Sequence, residues 1–384
     1  MCKRWIPVLL ASVLPLAWLQ PAAAAELELP APSSILMEAA TGTVLYEHDS
    51  HEPLRPASVT KIMTLLLVME ALDDGRISWD DSVTTSAAAA AKGGSQIYLE
   101  ENEQLPIREM IKSVAVASAN DCACALAEHV AGSEAAFVEM MNARAAELGM
   151  QDTHFVNCTG LDDSPDADSH LSSAYDIALM SRELLTHPEI REFTTIWMDT
   201  VRDGAFGLSN TNKLVRFYRG TTGLKTGYTS AAGYCLSASA LRDGMELIAV
   251  VLHCASSTDR FESAKALLNY GFASYALFAP VPEGPVPSVP VVLGTQTSVT
   301  PIPAAAAPIL TDKSLVNTVR VTLEVESEVK APVAQGQQLG QMRVMAGERE
   351  LAQIPLIAPE AVAALTWWDV MLSVLRCAVM AAPA

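Results

Sequence analysis

The sequence predicts an α/β protein of the α+β kind, in which an antiparallel sheet flanked by helices is followed by a small β domain and a terminal amphipathic helix. Three observations predict this order. Predicted strands at both ends of the first large part enclose a helical middle. Beyond Phe278 the composition shifts to Pro, Val, Thr and Ala without a helical period. Near the end, polar residues recur every three or four positions. The predicted divisions are residues 1–25, 30–276, 280–358 and 359–380.

The large part, residues 30–276, alternates between apolar runs and turn signals. An alternating run over 34–46 brackets Ala40-Thr41-Gly42 and predicts a β-hairpin. Helices are predicted over residues 59–72, 107–116, 121–130, 137–148, 174–185 and 263–270. Strands are predicted over residues 223–229, 234–240 and 247–253, and a loop over 157–170.

The N-terminus has the pattern of a secretory signal, which predicts an exported, extracytoplasmic protein. Lys3 and Arg4 precede an apolar stretch over 5–19, and small residues at 22–25 offer a cleavage site. A retained membrane anchor is the alternative, but the stretch is short for a span. Cleavage after Ala25 would change the formal net charge from −19 to −19 − 2 = −21. Such acidity argues against nucleic acid as a partner, because phosphates repel it.

The cysteines give little support to a metal site, and we predict neither a metal nor a cofactor. There are seven, of which Cys2 would leave with the signal. Cys122 and Cys124 are two positions apart, which is not the Cys-x-x-Cys spacing of zinc ligands. Most lie in apolar runs and are expected to be buried. Their pairing is left open.

The first candidate motif is Ser58-Val59-Thr60-Lys61, at the start of an apolar helix. Residues three apart share a helix face, so the Lys61 amine can reach the Ser58 hydroxyl. A serine is a weak nucleophile without a base, and a lysine serves as one only if burial or a nearby cation lowers its pKa. The alternative is an N-cap serine with a surface lysine. The apolar neighbours argue against it, because a lone lysine is costly there.

Two further candidate motifs follow. Ser118-Ala119-Asn120 lies between two predicted helices, where Ser118 could pass on a proton and Asn120 could hold a substrate carbonyl. Helix capping is the alternative. Lys225-Thr226-Gly227 lies on a predicted strand, where the lysine and threonine can bind a carboxylate and the glycine allows close approach. Lys225 is also a candidate for the cation near Lys61, and an edge-strand lysine that blocks aggregation is the alternative.

The ordered set of three motifs is far more specific than any one of them. With it, the chain resembles the low-molecular-weight penicillin-binding proteins, serine-type D-Ala-D-Ala carboxypeptidases of the penicillin-binding-protein 5 and DacF type. The resemblance runs from about Ser34 to Tyr270 and extends more weakly beyond. It implies a β-lactamase/transpeptidase-like catalytic domain, a small β domain and a C-terminal membrane anchor.

The resemblance also implies roles for the motif residues. Ser58 would attack the carbonyl between two D-alanines, with Lys61 as base in acylation and again in deacylation. Ser118 would relay a proton and Asn120 would orient the peptide. Lys225 and Thr226 would bind the terminal carboxylate of the substrate, with help from Arg260, and Gly227 would allow the close approach of the substrate. The backbone N–H groups of Ser58 and Tyr228 would bind the oxyanion. The implied partners are the peptidoglycan pentapeptide and β-lactam antibiotics.

Two positions depart from the family pattern. Ala119 stands where the family usually has glycine, which could narrow the cleft but removes no catalytic group. Cys158 stands where proline or another residue is commoner, and we give it no catalytic role.

Other functions remain open at this point. A class A β-lactamase needs a glutamate between the second and third motifs, and residues 160–174 contain none. A non-catalytic wall-binding protein would keep the cleft without turnover, although every motif residue is intact here. Endopeptidase action on cross-links breaks a similar bond, and the sequence does not separate it from carboxypeptidase action.

The final segment, residues 359–380, is predicted to be an amphipathic helix that lies on a membrane surface. Thr366, Asp369, Ser373 and Arg376 fall on one face of it, and Trp367 and Trp368 lie beside that stripe. A helix packed on the β domain and a tilted span are the alternatives, and charges in mid-segment disfavour the span.

Overall fold

The computed structural model describes residues 27–380 apart from 164, 283 and 305–307. The predicted signal segment, residues 1–25, and Cys2 within it therefore lie outside the described residues.

The larger part of the molecule has nine strands and nine helices among the described residues. The strands are β1 (Ser33–Glu38), β2 (Val44–His48), β3 (Ser82–Thr84), β4 (Gln104–Pro106), β5 (Met198–Val201), β6 (Phe206–Ser209), β7 (Thr221–Thr229), β8 (Gly233–Arg242) and β9 (Met245–Cys254). The helices are α1 (Lys61–Asp73), α2 (Ala87–Ala90), α3 (Ile107–Ala117), α4 (Asn120–Ala131), α5 (Glu134–Glu147), α6 (Ala174–Leu184), α7 (Arg191–Thr194), α8 (Leu214–Phe217) and α9 (Ser257–Ser274).

A five-stranded antiparallel sheet in the order β2-β1-β9-β8-β7 forms the centre of this part. Both of its faces are covered. On β9, Ile248 and Val250 pack into the core formed with the helical middle, whereas Leu247 and Val251 pack against α9. Burial on both faces explains why β9 is an apolar run rather than an alternating one. The predicted antiparallel sheet flanked by helices is confirmed.

The last helix of this part is longer than predicted. Residues 263–270 were expected to be helical, and α9 in fact covers Ser257–Ser274. The first six residues of α9 include the charged residues Asp259, Arg260 and Glu262, which interrupt the apolar period in the sequence. The helix begins at Ser256, whose hydroxyl accepts a hydrogen bond from the Asp259 N–H at 3.1 Å.

The C-terminal part is a small β structure, as predicted. Its strands are β10 (Tyr275–Phe278), β11 (Val289–Val292), β12 (Ser298–Val299), β13 (Ile302–Pro303), β14 (Ile309–Asp312), β15 (Val319–Val325), β16 (Val329–Lys330), β17 (Gln338–Ala346) and β18 (Arg349–Ile357). They form sheets in the orders β10-β14, β12-β11-β16 and β13-β18-β17-β15. Apolar side chains of these strands form two small cores of their own.

The terminal helix is shorter than predicted. α10 covers Trp367–Met380, so residues 359–366 were wrongly assigned to it. Part of that segment is hydrogen-bonded to the β structure, where the N–H and C=O groups of Val362 pair with those of Val333. At the start of α10, the Asp369 carboxylate accepts hydrogen bonds from Thr366, and the Thr366 hydroxyl accepts one from the Asp369 N–H. This reciprocal capping fixes the start of the helix at Trp367. Among the described helices, none has the length and apolar character needed to cross a membrane.

Candidate active site

Ser58 lies in a tight turn at the start of α1. A 3-10 turn over Ala57–Thr60 runs directly into that helix, whose first residue is Lys61. Ala57 has a left-handed φ of +46°, which turns the chain sharply just before Ser58. The sequence placed Ser58 and Lys61 on one helix. In the structure the spacing of three brings them together across the junction between turn and helix.

The Lys61 side chain is completely buried. Its Nζ donates to Ser58 Oγ at 2.9 Å and to the Thr159 carbonyl oxygen at 2.8 Å. Burial lowers the pKa of Lys61 to about 7, against smaller opposing effects of Cys158 and Asp121. A large share of Lys61 is therefore neutral near pH 7, so it can accept the proton of Ser58.

Strand β7 is the edge strand of the sheet and lies against this turn. A Cβ on Gly227 would lie 2.6 Å from the Pro56 carbonyl oxygen and 3.1 Å from the Ser58 nitrogen. Only glycine therefore lets β7 come this close to Ser58. This is the close approach expected from the third motif.

Lys225, on the same strand, is almost completely buried and donates from Nζ to the Thr226 carbonyl oxygen at 3.0 Å. Its pKa is lowered well below the usual value, first by burial and then by repulsion from Lys61 and Arg260. The Thr226 hydroxyl donates to the hydroxyl of Thr211 at 2.6 Å. A bound carboxylate would give Lys225 the counter-charge that its protonated form needs.

The second motif lies at the junction of α3 and α4. Ser118 has a left-handed φ of +64° and ends α3, and Asn120 is the first residue of α4, which packs against α1. The Asn120 Nδ2 donates to the Gly93 carbonyl oxygen at 2.7 Å. Within the described part of the chain, Asn120 Oδ1 is buried and has no hydrogen-bond partner. It is thus available to accept an N–H from a ligand.

Tyr228 and Arg260 both lie beside the third motif and contact the ring of Tyr234. The Tyr228 side chain is about half exposed, and its ring lies 4.3 Å from that of Tyr234. Arg260 is buried and donates from Nη1 to the Gly227 carbonyl oxygen at 3.0 Å. This bond goes to the backbone of the third motif, so Arg260 supports the strand that carries Lys225 and Thr226, the residues expected to bind the terminal carboxylate.

A loop within the predicted segment 157–170 completes the site, and its role was not predicted from the sequence. Asn157 Oδ1 accepts hydrogen bonds from the backbone of Thr159 and Gly160, which presents the Thr159 carbonyl to Lys61. Gly160 has a φ of +79°, and a Cβ there would lie 1.9 Å from the Ala57 carbonyl oxygen. The available signal was the turn-forming sequence Asn-x-Thr-Gly. This sequence predicts a turn, but it does not indicate that the Thr159 carbonyl would accept a hydrogen bond from Lys61.

A buried histidine holds the same region together. His170 Nδ1 accepts a hydrogen bond from the Val156 N–H at 3.1 Å, so Nε2 carries the proton and donates to the Thr60 hydroxyl at 2.8 Å. Burial, followed by repulsion from His154 and Lys61, lowers the pKa of His170 to about 4. His170 is therefore neutral near pH 7 and links the loop to the turn of Ser58.

The site combines a serine hydroxyl, a buried amine that can be neutral, and a strand edge with a lysine and a threonine. A nucleophile next to a base is the arrangement needed for covalent acyl transfer. The arrangement defines a serine hydrolase of the acyl-enzyme kind.

Comparison with known proteins places the chain in a family. The D-alanyl-D-alanine carboxypeptidase family, Peptidase_S11, matches residues 20–256, and the C-terminal domain of penicillin-binding protein 5 matches residues 276–364. The first match covers more than half of the chain, so the protein belongs to the D-alanyl-D-alanine carboxypeptidase family. The family and the enzyme class predicted from the three motifs, a peptidase and hydrolase, are confirmed.

Individual relatives agree with this assignment. The chain is 42% identical over 340 residues to the D-alanyl-D-alanine carboxypeptidase DacF of Bacillus subtilis, covering 87% of this chain and 86% of the relative. Penicillin-binding protein 5 from Haemophilus influenzae is similar in structure, with a TM-score of 0.75, 30% identity and coverage of 88% and 98%. Penicillin-binding protein D2 from Listeria monocytogenes, in its ampicillin-bound form, has a TM-score of 0.59 and 34% identity, with coverage of 64% and 99%.

Proposed function

We propose that this protein is a serine-type D-Ala-D-Ala carboxypeptidase that releases the terminal D-alanine from peptidoglycan stem peptides through an acyl-enzyme at Ser58. The observation that carries the proposal is the buried Lys61 amine, 2.9 Å from Ser58 Oγ and with a pKa lowered to about 7. Family membership supplies the substrate class, D-alanyl-D-alanine peptides.

In the acylation step, neutral Lys61 takes the proton from Ser58 Oγ as this oxygen attacks the carbonyl carbon of the scissile bond. The negative oxygen that forms is held by the backbone N–H groups of Ser58 and Tyr228. The proton then passes through Ser118 to the nitrogen of the departing D-alanine. The C–N bond breaks, and the remaining peptide stays on Ser58 as an ester.

Substrate binding is assigned to the second motif and to the edge of β7. Asn120 orients the peptide, and its partnerless Oδ1 accepts a peptide N–H. Lys225 and Thr226 bind the terminal carboxylate, and Gly227 keeps the strand close to Ser58. Arg260 acts through the Gly227 carbonyl and is a positioning residue for this strand. Water, activated by Lys61, then hydrolyses the ester.

β-Lactams would enter the same pathway as substrate mimics. Their strained amide is attacked by Ser58, and the ring nitrogen stays attached to the acyl group, so the leaving group cannot depart. The ampicillin-bound relative from Listeria supports binding of this class of compound by the family fold.

The test is to treat the protein with labelled penicillin, locate the adduct by mass spectrometry, and measure D-alanine release from a peptide ending in D-Ala-D-Ala. We expect the adduct on Ser58, and we expect Ser58→Ala to lose both adduct and release. Ser82→Ala, an exposed serine on β3, is the matched control and should keep both. D-alanine release by Ser58→Ala would refute the mechanism.

The same assay separates the alternatives. Rapid turnover of penicillin without D-alanine release would indicate a β-lactamase, and an adduct without any release would indicate a wall-binding protein that has lost turnover. Cleavage of cross-linked peptides, measured in parallel, gives the balance between carboxypeptidase and endopeptidase action.

We also propose that the protein is exported and lies on the outer face of the cell membrane, held there by α10. The exposed Trp367 and Trp368, at 69% and 64% of their full exposure, support this proposal. Leu372 and Leu375 are also exposed, and such a helix can bury its apolar side at the lipid interface.

The test of the anchor is binding of the protein to anionic phospholipid vesicles. A chain ending at Leu365 keeps the segment that pairs with the β structure and removes only α10, so it should no longer sediment with the vesicles. Exchange of Trp367 and Trp368 for serine should have the same effect, whereas Phe217→Ser, which removes an exposed aromatic ring elsewhere, should not. Unchanged binding of the shortened chain would mean that α10 packs on protein instead.

A further inference from the structure

Two buried thiols lie beside the loop that supports Lys61. Cys124 is on α4 and Cys158 is in the loop after α5, and neither side chain is exposed. Their sulfur atoms and a carboxylate oxygen of Glu134 all lie within 4.8 Å of one another. The two residues are 158 − 124 = 34 positions apart in the sequence. A covalent bond between them would therefore join two separate elements of the fold.

Both cysteines lie on segments of the chain that contribute to the active site. The Cys158 carbonyl oxygen accepts a hydrogen bond from the Thr64 hydroxyl of α1 at 2.6 Å, and the next carbonyl, that of Thr159, accepts the hydrogen bond from Lys61. Helix α4, which carries Cys124, begins with Asn120. A bond between the two sulfurs would tie the loop behind Lys61 to the helix of the second motif.

We propose that Cys124 and Cys158 form a disulfide when this chain folds in an oxidising compartment, and that the bond holds the Lys61 loop in place. Its occurrence in the cell rests on the proposed export, because exported proteins keep disulfides. Its formation in vitro depends only on the chain and the oxidant.

The chemistry requires an external disulfide as oxidant, such as oxidised glutathione or a disulfide-bonded oxidoreductase. The thiolate of one cysteine attacks a sulfur of that disulfide, which forms a mixed disulfide and releases one thiol. The second cysteine, as its thiolate, then attacks its neighbour's sulfur and displaces the other thiol. In total the protein gives up two protons and two electrons, and the oxidant becomes two thiols.

Burial decides when this reaction occurs. In the folded protein the pKa of Cys158 is raised, by its hydrogen bond with Cys124, by burial and by the Glu134 carboxylate, so its thiolate is scarce. A dissolved oxidant also cannot reach either sulfur. The bond should therefore form during folding, and once formed it is shielded from reductants.

A metal ion would be a different use of the same cluster. Two thiols and a carboxylate are zinc-like ligands. However, the Lys92 ammonium lies 2.6 Å from Glu134 Oε2, so the carboxylate already has a cationic partner and a second cation would be repelled. The geometry therefore favours the disulfide over the metal.

The other buried thiols do not compete for this bond. Cys235 and Cys254 belong to the cores on opposite faces of the sheet. Cys122 lies two residues before Cys124 on the same helix and is not within the cluster formed with Glu134. Cys122 is thus a matched control: a buried cysteine of α4 that should take no part in the bond.

The experiment starts with the full chain exported by a bacterial host and alkylated with N-ethylmaleimide in denaturant without reductant. After removal of the signal six cysteines remain, so we expect four to be alkylated and one cross-linked peptide that contains Cys124 and Cys158. The second arm reduces and unfolds the purified protein and refolds it with oxidised glutathione, which should give the same peptide. Alkylation of all six cysteines in both arms would overturn the proposal, as would any other pairing.

Function is measured by penicillin binding at Ser58 after heating. Wild-type protein that is reduced in denaturant and refolded without oxidant should have a Tm roughly 5–10 °C below that of the oxidised protein, and a shorter half-life of penicillin binding. Cys122→Ala should respond in the same way, whereas Cys124→Ala and Cys158→Ala should not respond to reductant. One zinc ion per chain, lost in Cys158→Ala, would replace the disulfide with a metal site. Penicillin binding by the unheated protein tests the proposed function separately.

Discussion

Acylation of Ser58 is expected to follow the protonation state of Lys61, and pH is therefore the most direct perturbation of the proposed mechanism. Only the neutral amine can accept the Ser58 proton. Because the pKa of Lys61 is lowered to about 7, the amine is protonated below that pH and neutral above it. The acylation rate should therefore rise with pH up to about 8 and then level off.

The magnitude follows from the size of the pKa change. At the usual pKa of 10.5, about one lysine in 3,000 is neutral at pH 7. At a pKa of about 7, half of the Lys61 amines are neutral at that pH. Burial therefore raises the reactive fraction roughly 1,500-fold, which corresponds to about 4–5 kcal/mol of differential stabilisation. This energy is the amount by which burial disfavours the protonated amine of Lys61 relative to the neutral amine.

The assay is stopped-flow acylation by a fluorescent penicillin between pH 5 and pH 9. Below pH 6 the rate should rise about tenfold per pH unit, as expected for a single titrating base. Lys61→Ala should be slow at every pH. The lower limit of pH 5 keeps His170 neutral, since its pKa is lowered to about 4 and its protonation would break the hydrogen bond from the Val156 N–H. Circular dichroism across the range serves as the control for folding.

A rate that does not change with pH in a folded protein would refute the role of Lys61 as base. A rate that still rises at pH 9 would mean that burial does not lower the pKa of the Lys61 amine to about 7.

Two glycine substitutions test the packing around Ser58. Gly160→Ala places a Cβ 1.9 Å from the Ala57 carbonyl oxygen at a φ of +79°, so the free energy of unfolding in urea should fall by more than about 3 kcal/mol. Gly149→Ala is the control, because Gly149 has a φ of +76° but open space around it, and its free energy of unfolding should fall by only about 1–2 kcal/mol. Equal losses would show that the contact with Ala57 is unimportant. Gly227→Ala should push β7 away from Ser58 and slow penicillin acylation by about 10²-fold, in line with loss of an oxyanion donor, and an unchanged rate would contradict the close approach.

Much of the active site could be predicted because its side chains are encoded in short motifs. Ser58 and Lys61 are three positions apart, and Lys225 to Gly227 are consecutive, so local spacing brings the members of each motif close together. Strands β8 and β9 were predicted to within two residues of their ends, because their apolar runs are also local features of the sequence. The start of α10 has a local signal in the Thr366–Asp369 cap, but the exclusion of residues 359–366 from the helix also depends on the pairing of Val362 with Val333 of the β structure.

Residue identity and spacing along the chain specify which chemical groups are present, whereas the protonation and contacts of those groups depend on the folded structure. A serine, a lysine and the turn residues around them are local facts, readable from identity and spacing. The depressed pKa of Lys61 is not local, because it arises from the helices, loop and strand that exclude water from the amine. The Thr159 carbonyl that holds that amine, and the approach of Cys158 to Cys124, also join residues far apart in the chain. Such contacts form only when the loop packs against α1 and α4, so they cannot be predicted from local sequence patterns.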